Sequence, residues 1–236
     1  MLKYGVIGYG YWGPNLVRVL NTAKESRVVA VADQVAANRD KVAGLYPAMK
    51  VTDDARELID DPAIDAIAIA TPVTTHFDLA WAALDAGKHV IVEKPLCESS
   101  EKAAKLVDFA AKKQRQILVD HTFVYTGAVR KILAYHTEGR LGRVLYYDST
   151  RINLGLYQKD VNVIWDLAVH DFSIILQVLP GRPIGISAIS SDPLKIGVEA
   201  VAHITLIYPD QVMAHVNASW LSPVKVRTTL IGGEKK

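Results

Sequence analysis

Lys3-Tyr4-Gly5-Val6-Ile7-Gly8-Tyr9-Gly10-Tyr11-Trp12-Gly13-Pro14-Asn15 reads as a strand, a glycine turn and the start of a helix. Residues 4–7 form a short apolar run suited to a buried strand. Gly8, Gly10 and Gly13 make a G-x-G-x-x-G. Pro14 then opens a helix over 14–24 that carries Leu16, Val17, Val19 and Leu20 to the core. Proline costs nothing at that position, because its missing N–H has no intrahelical partner. A lone G-x-G-x-x-G is weak evidence, but this one has a strand before it and a helix after it. Gly8 allows the sharp turn, Gly10 lets the backbone approach a pyrophosphate, and the helix start offers N–H groups to its charge. Asp33 ends the next strand, about 20 positions beyond Gly13, where a carboxylate accepts hydrogen bonds from a ribose and repels a 2′-phosphate. The stretch points to NAD rather than NADP. The competing reading is a plain glycine turn with a solvated aspartate.

Outward from this turn, apolar strands at 27–33, 64–70, 88–92 and 116–120 alternate with helices at 36–45, 55–59, 76–84 and 101–112. Strands apolar on both faces and separated by helices mean a parallel sheet covered on both sides. Residues 1–121 are therefore expected to form an α/β, doubly wound Rossmann domain. Its polar features, Gly8, Asp33, Thr71 and Glu93-Lys94, fall where strands end, which is where such sheets bind ligands. Residues 122–236 read differently. Helices at 127–137 and 163–179 accompany alternating strands at 143–151, 183–190, 199–208, 211–220 and 224–231, with a turn at Pro209-Asp210. This predicts an α+β domain with an open, largely antiparallel sheet. Val201, Val216, Ala218 and Trp220 are taken to lie on its open face and to need cover from a second subunit.

Of the 236 residues, 50% are hydrophobic and 22% charged, and the net charge is +2. Nothing in that balance calls for nucleic acid or an acidic membrane surface. The apolar runs are far shorter than the roughly 20 residues of a membrane span. A strand so near the first residue leaves no room for a signal peptide. The single Cys97 forms no internal disulfide and no cysteine zinc site, so a cytoplasmic protein without a metal is expected.

Two further clusters carry possible chemistry. Glu93-Lys94-Pro95 follows a buried strand directly. A lysine there suits a substrate hydroxyl and the alkoxide formed as a hydride leaves; the alternative is a solvated loop lysine. Asp166 and His170 stand four apart on the 163–179 helix and so share a face. A carboxylate beside an imidazole makes a general base with an orienting partner; the alternative is a helix-surface ion pair.

The glycine turn, the Glu93-Lys94-Pro95 and the Asp166-x-x-x-His170, in that order, resemble the glucose–fructose oxidoreductase / inositol dehydrogenase (Gfo/Idh/MocA) family over essentially the whole chain. The resemblance implies NAD(P)-dependent oxidation or reduction of a sugar or cyclitol hydroxyl, and an open C-terminal sheet that commonly mediates homodimers or homotetramers. It places Lys94, Asp166 and His170 in the catalytic site. Thr71, Pro72 and His76 lie near the cofactor with Gly8, Gly10, Tyr11, Trp12, Gly13, Asp33 and Glu93. Gly10-Tyr11-Trp12-Gly13-Pro14-Asn15 and residues 151–166 are similar to the members that act as dehydrogenases of UDP-N-acetyl sugars. That similarity puts His121, Phe123, Tyr125, Arg151, Asn153 and Asn162 toward the sugar. A non-catalytic NAD- or sugar-binding protein is the alternative. Family members usually continue beyond the point where this sequence stops, so the sheet's last strands are expected to be missing.

Overall fold

The computed structural model describes residues 1–155, 157–158 and 160–235. Lys236, the last residue of the expected second domain, lies outside them. The chain divides after Asp120 into two compact units.

In the first unit, β1 (Leu2–Ile7), β2 (Ser26–Ala32), β3 (Lys50–Thr52), β4 (Ala66–Ile69), β5 (His89–Glu93) and β6 (Ile117–Asp120) form one sheet. Their order is β3-β2-β1-β4-β5-β6, and every neighbouring pair is parallel. The order reverses between β1 and β4, the point where the first crossover leaves the centre of the sheet in the other direction. Helices α1 (Gly13–Thr22), α2 (Ala36–Leu45), α3 (Arg56–Ile59), α4 (His76–Asp85) and α5 (Ser100–Lys112) connect the strands. Two apolar clusters cover the sheet. One gathers Ile7, Ile67, Ile69, Leu84, Val92 and Leu106; the other gathers Val6, Leu16, Val17, Val31 and Val42. Residues of β4 are buried throughout, which is why its sequence is a continuous apolar run. Ser99 caps α5 by accepting a hydrogen bond from the Lys102 N–H at 3.2 Å.

The second unit holds α6 (Gly127–Thr137), β7 (Val144–Leu154), a π-helical turn Ile164–Ala168 continuing into α7 (Val169–Val178), and strands β8 (Gly185–Ser191), β9 (Val201–Ile207), β10 (Met213–Ser219) and β11 (Leu221–Gly233). The sheet order is β11-β7-β10-β9-β8. Only β7 and β10 run parallel; the other neighbours are antiparallel.

The faces of this sheet differ from the expectation. Val216 (1% exposed) and Ala218, with Trp220 just past the end of β10, lie in the core with Ile174, Ile175 and Val178 of α7, and Val201 is half-buried. All four were expected on the open face, where Val201 does fall, alternating with the buried Ala202 and Ile204. Alternation alone gives two sets of residues without saying which set meets the helices. On the opposite face Asp148, Thr150, His203, Thr205, His215 and Asn217 line a shallow groove of about 260 Å³. Thr205 and His215 hydrogen-bond across β9 and β10 at 3.0 Å. The exposed apolar area of the open face is supplied by Tyr146, Ile189, Ile207, Met213 and Leu230 instead of Val216, Ala218 and Trp220.

The face assignment is testable with one strand. Ile204→Ala should lower stability by about 3 kcal/mol, while its neighbour His203→Ala should change it by less than about 0.5 kcal/mol. Urea unfolding followed by fluorescence measures both, and equal effects would contradict the assignment.

Candidate active site

The cofactor half begins where β1 ends. The Gly8 N–H donates to the Ala32 carbonyl at 2.8 Å, tying the turn to β2. Gly8 has φ +94°, and a Cβ there would meet the Ala70 carbonyl oxygen at 2.5 Å. A Cβ on Gly13 would overlap the Gly8 carbonyl. Gly10 has open space beside it, so a ligand can come against the backbone there. No side chain caps the start of α1, which leaves its positive end for an anion. Tyr11 is exposed, and Trp12 is the N-cap residue.

Asp33 is held from three sides. Its carboxylate accepts the Tyr9 N–H at 2.6 Å, the Val35 N–H at 2.8 Å and the Asn38 amide at 3.2 Å. A carboxylate has about four acceptor positions, so ribose hydroxyls can still be received. The uncapped helix, the open Gly10 and a preset Asp33 fit a dinucleotide. Asn38, and Arg39 donating to the Asp33 and Gln34 carbonyls, escaped the sequence reading; their position in the first turn of the helix after Asp33 was the available signal.

His76 was expected beside the cofactor. Its ring is 1% exposed, with Nδ1 at 2.9 Å from the Pro95 carbonyl and Nε2 at 2.9 Å from the Thr71 carbonyl. It links the turn after β4 to the turn after β5. Thr71 Oγ1 and Thr75 Oγ1 lie 2.7 Å apart, and Thr75 Oγ1 also donates to the Pro72 carbonyl. Lys94 is half-buried, and a cis peptide joins it to Pro95.

Glu93 sits in register with Asp120 on the neighbouring strand. Burial, then the hydrogen bond and charge of Asp120, push its pKa up to about 9, against the opposing pull of Lys94. Such a rise favours the protonated form of Glu93, with its proton directed to Asp120. Its expected cofactor role thus meets a prior commitment to Asp120.

In the second unit, the π-helical turn carries Asp166 and the first turn of α7 carries His170. Asp166 Oδ2 accepts from the Trp220 Nε1–H at 3.0 Å. The His170 ring is buried and packs on Phe123, centroids 4.6 Å apart. A π turn changes the angular spacing of side chains, so an i, i+4 count on an α-helix does not describe this pair. Tyr125 is exposed, and His121 and Asn153 are half-buried. Two residues expected on the sugar have other work. Asn162 Oδ1 accepts the Ile164 and Trp165 N–H groups, and its amide donates to Glu199 at 2.9 Å. Arg151 is paired with Asp171: Nε donates to Oδ2 at 2.7 Å and an Nη donates to Oδ1 at 3.1 Å.

The strand order and glycine turn define a dinucleotide-binding α/β protein with a second, open-sheet domain. The chain belongs to the Gfo/Idh/MocA family. Residues 2–121 match the family model described as "Oxidoreductase family, NAD-binding Rossmann fold", and residues 127–236 match the "GFO/IDH/MocA C-terminal domain". Inositol 2-dehydrogenase 2 of Saccharopolyspora erythraea is 32% identical over 206 residues, 83% of this chain and 58% of that protein. UDP-N-acetylglucosamine 3-dehydrogenase of Acidithiobacillus ferrooxidans is 26% identical over 194 residues, 80% of this chain and 58% of that protein. The chain thus spans less than two thirds of the length of these relatives. The scyllo-inositol dehydrogenase of Lactobacillus casei, solved with NAD(H) and scyllo-inositol, superposes with a TM-score of 0.90 at 20% identity, covering 100% of this chain and 75% of that one. That likeness shows the shared fold. Among the described residues no cluster could hold a metal ion, and no helix is long and apolar enough to cross a membrane.

The raised pKa of Glu93 has a stability signature. Between Glu93's ordinary value of 4.5 and about 9, the folded protein keeps a proton that the unfolded chain has lost. The contribution is full below the lower value and disappears as pH rises toward the upper one. Glu93→Gln keeps a donor toward Asp120 and removes the titration. Its Tm should exceed that of the unaltered protein at pH 9 and converge with it near pH 4. Parallel Tm–pH curves would contradict the assignment.

Proposed function

We propose that this chain is the dehydrogenase part of an NAD-dependent oxidoreductase acting on a hydroxyl carbon of a sugar or cyclitol. The observation that carries the reading is the combination of a preset Asp33 and open Gly10 with Lys94, Asp166 and His170 on one chain. His170 takes the hydroxyl proton. Asp166, anchored by Trp220, keeps negative charge on the segment that carries the imidazole and supports its protonated form. Lys94 stabilises the developing oxyanion. NAD, when bound, supplies the hydride acceptor at nicotinamide carbon 4.

A nucleotide-linked N-acetyl sugar is the proposed substrate, supported by the motif similarity and by the UDP-N-acetylglucosamine relative. A free cyclitol is the second reading, favoured by the higher identity of the inositol 2-dehydrogenase. A homodimer or homotetramer through the open sheet is also proposed, supported by the exposed Tyr146, Ile189, Ile207, Met213 and Leu230 on its open face.

NADH absorbance with inositols, free sugars and UDP-sugars tests the activity. Turnover should fall at least about a hundredfold in Lys94→Ala and His170→Ala, as expected for lost oxyanion stabilisation and general-base catalysis, with NAD binding nearly unchanged. Bound NADH with no turnover on any of these compounds would favour a non-catalytic binding protein. Asp33→Ser keeps an acceptor for the Tyr9 N–H but removes the charge. It should weaken NAD more than NADP in fluorescence titrations; equal loss would contradict the ribose role.

A further inference from the structure

Four side chains of the second unit form a stack beside the general base. Arg151, on β7, is 4% exposed, and Asp171, on α7, is 1% exposed. Their two parallel hydrogen bonds, at 2.7 and 3.1 Å, form the bidentate fork that an arginine offers a carboxylate. The Arg151 guanidinium lies 4.2 Å from the centre of the Phe123 ring. The His170 imidazole lies 4.6 Å from the same ring, tilted by 58°. Arg227, on β11, also approaches Phe123, at 5.3 Å. Asp171 directly follows His170 in the chain.

We infer that the Arg151–Asp171 pair is a positioning device for His170, with Phe123 as the spacer between the fork and the imidazole. This rests on the reading of His170 as the general base. The buried fork pins the backbone one residue beyond His170 to β7, which fixes the rotation of α7's first turn. It also holds the guanidinium that packs on Phe123, the ring the imidazole also packs on. Both ends of the His170 side chain are thus set by one ion pair. The pair neutralises itself, so it sits beside the imidazole without adding net charge. Sequence placed Arg151 among the sugar contacts; the structure gives two of its nitrogens to Asp171.

A lysine cannot reproduce the fork, because its ammonium is a point charge on a flexible stem. Removing one partner alone leaves a buried charge and risks the fold, whereas exchanging a buried ion pair for apolar side chains is often tolerated. The test therefore uses Arg151→Lys and the double variant Arg151→Met with Asp171→Leu, each in the full chain. The ring protons of His170 are identified in the proton NMR spectrum by their loss in His170→Ala. In the unaltered protein the Phe123 ring current should displace them from the free-imidazole position. Both variants should unfold cooperatively, bind NAD as before and lose that displacement. With a substrate found in the panel above, kcat should fall about a hundredfold while the NAD Kd stays constant. Unaltered His170 signals in both variants would overturn the inference. If His170→Ala itself keeps full turnover, the general-base reading fails, while the ring signals still decide whether the pair positions the imidazole.

Discussion

The first unit depends on how closely its backbone approaches itself at the glycine turn. Side chains at Gly8 or Gly13 would collide with the Ala70 and Gly8 carbonyls, so neither position tolerates a Cβ without moving β4 or α1. That approach brings the Tyr9 N–H onto Asp33, and so connects the ends of β1 and β2. The same rim carries Thr71 after β4 and Lys94 after β5. Parallel strands with crossover helices place all these ends together, and His76 holds the last two turns through their carbonyls. The chemistry of the unit is thus built on backbone geometry, with side chains added at strand ends.

The second unit is organised by buried polar contacts as much as by its apolar core. Trp220 holds Asp166, Glu199 holds Asn162, and Asp171 holds Arg151. Each contact joins the segment around the π turn and α7 to another part of the unit: the end of β10, the loop before β9, or β7. A buried polar group without a partner is unfavourable, so residue types that suit a sugar site are also those a fold uses to fix a helix. His170 sits among them, and its surroundings are largely structural.

The strands and helices of both units were legible because their patterns are strong. The continuous apolar runs of β1, β2 and β4 have no other economical reading, and the helix from Gly127 to Thr137 follows from its spacing. Asp33 was legible because its distance from the glycine turn is fixed by one helix and one strand. Asn162 and Arg151 were not, because a hydrogen-bonding side chain looks the same whether it faces a ligand or the interior. Glu93 likewise reads as an ordinary acid; its burial, and then its pairing with Asp120 on the adjacent strand, raise its pKa.

Local sequence determined the class of fold, the cofactor turn and the chain positions of Lys94, Asp166 and His170. It did so because periodicity, glycine sterics and strand-end placement act over a few residues. Tertiary structure alone decided which face of the second sheet is covered and which partner each polar side chain takes. It also made Arg151 a support for α7 rather than a free cation. These depend on contacts between residues far apart in the chain, such as Arg151 with Asp171 and Asp166 with Trp220, and a period of two or four residues carries no information about them.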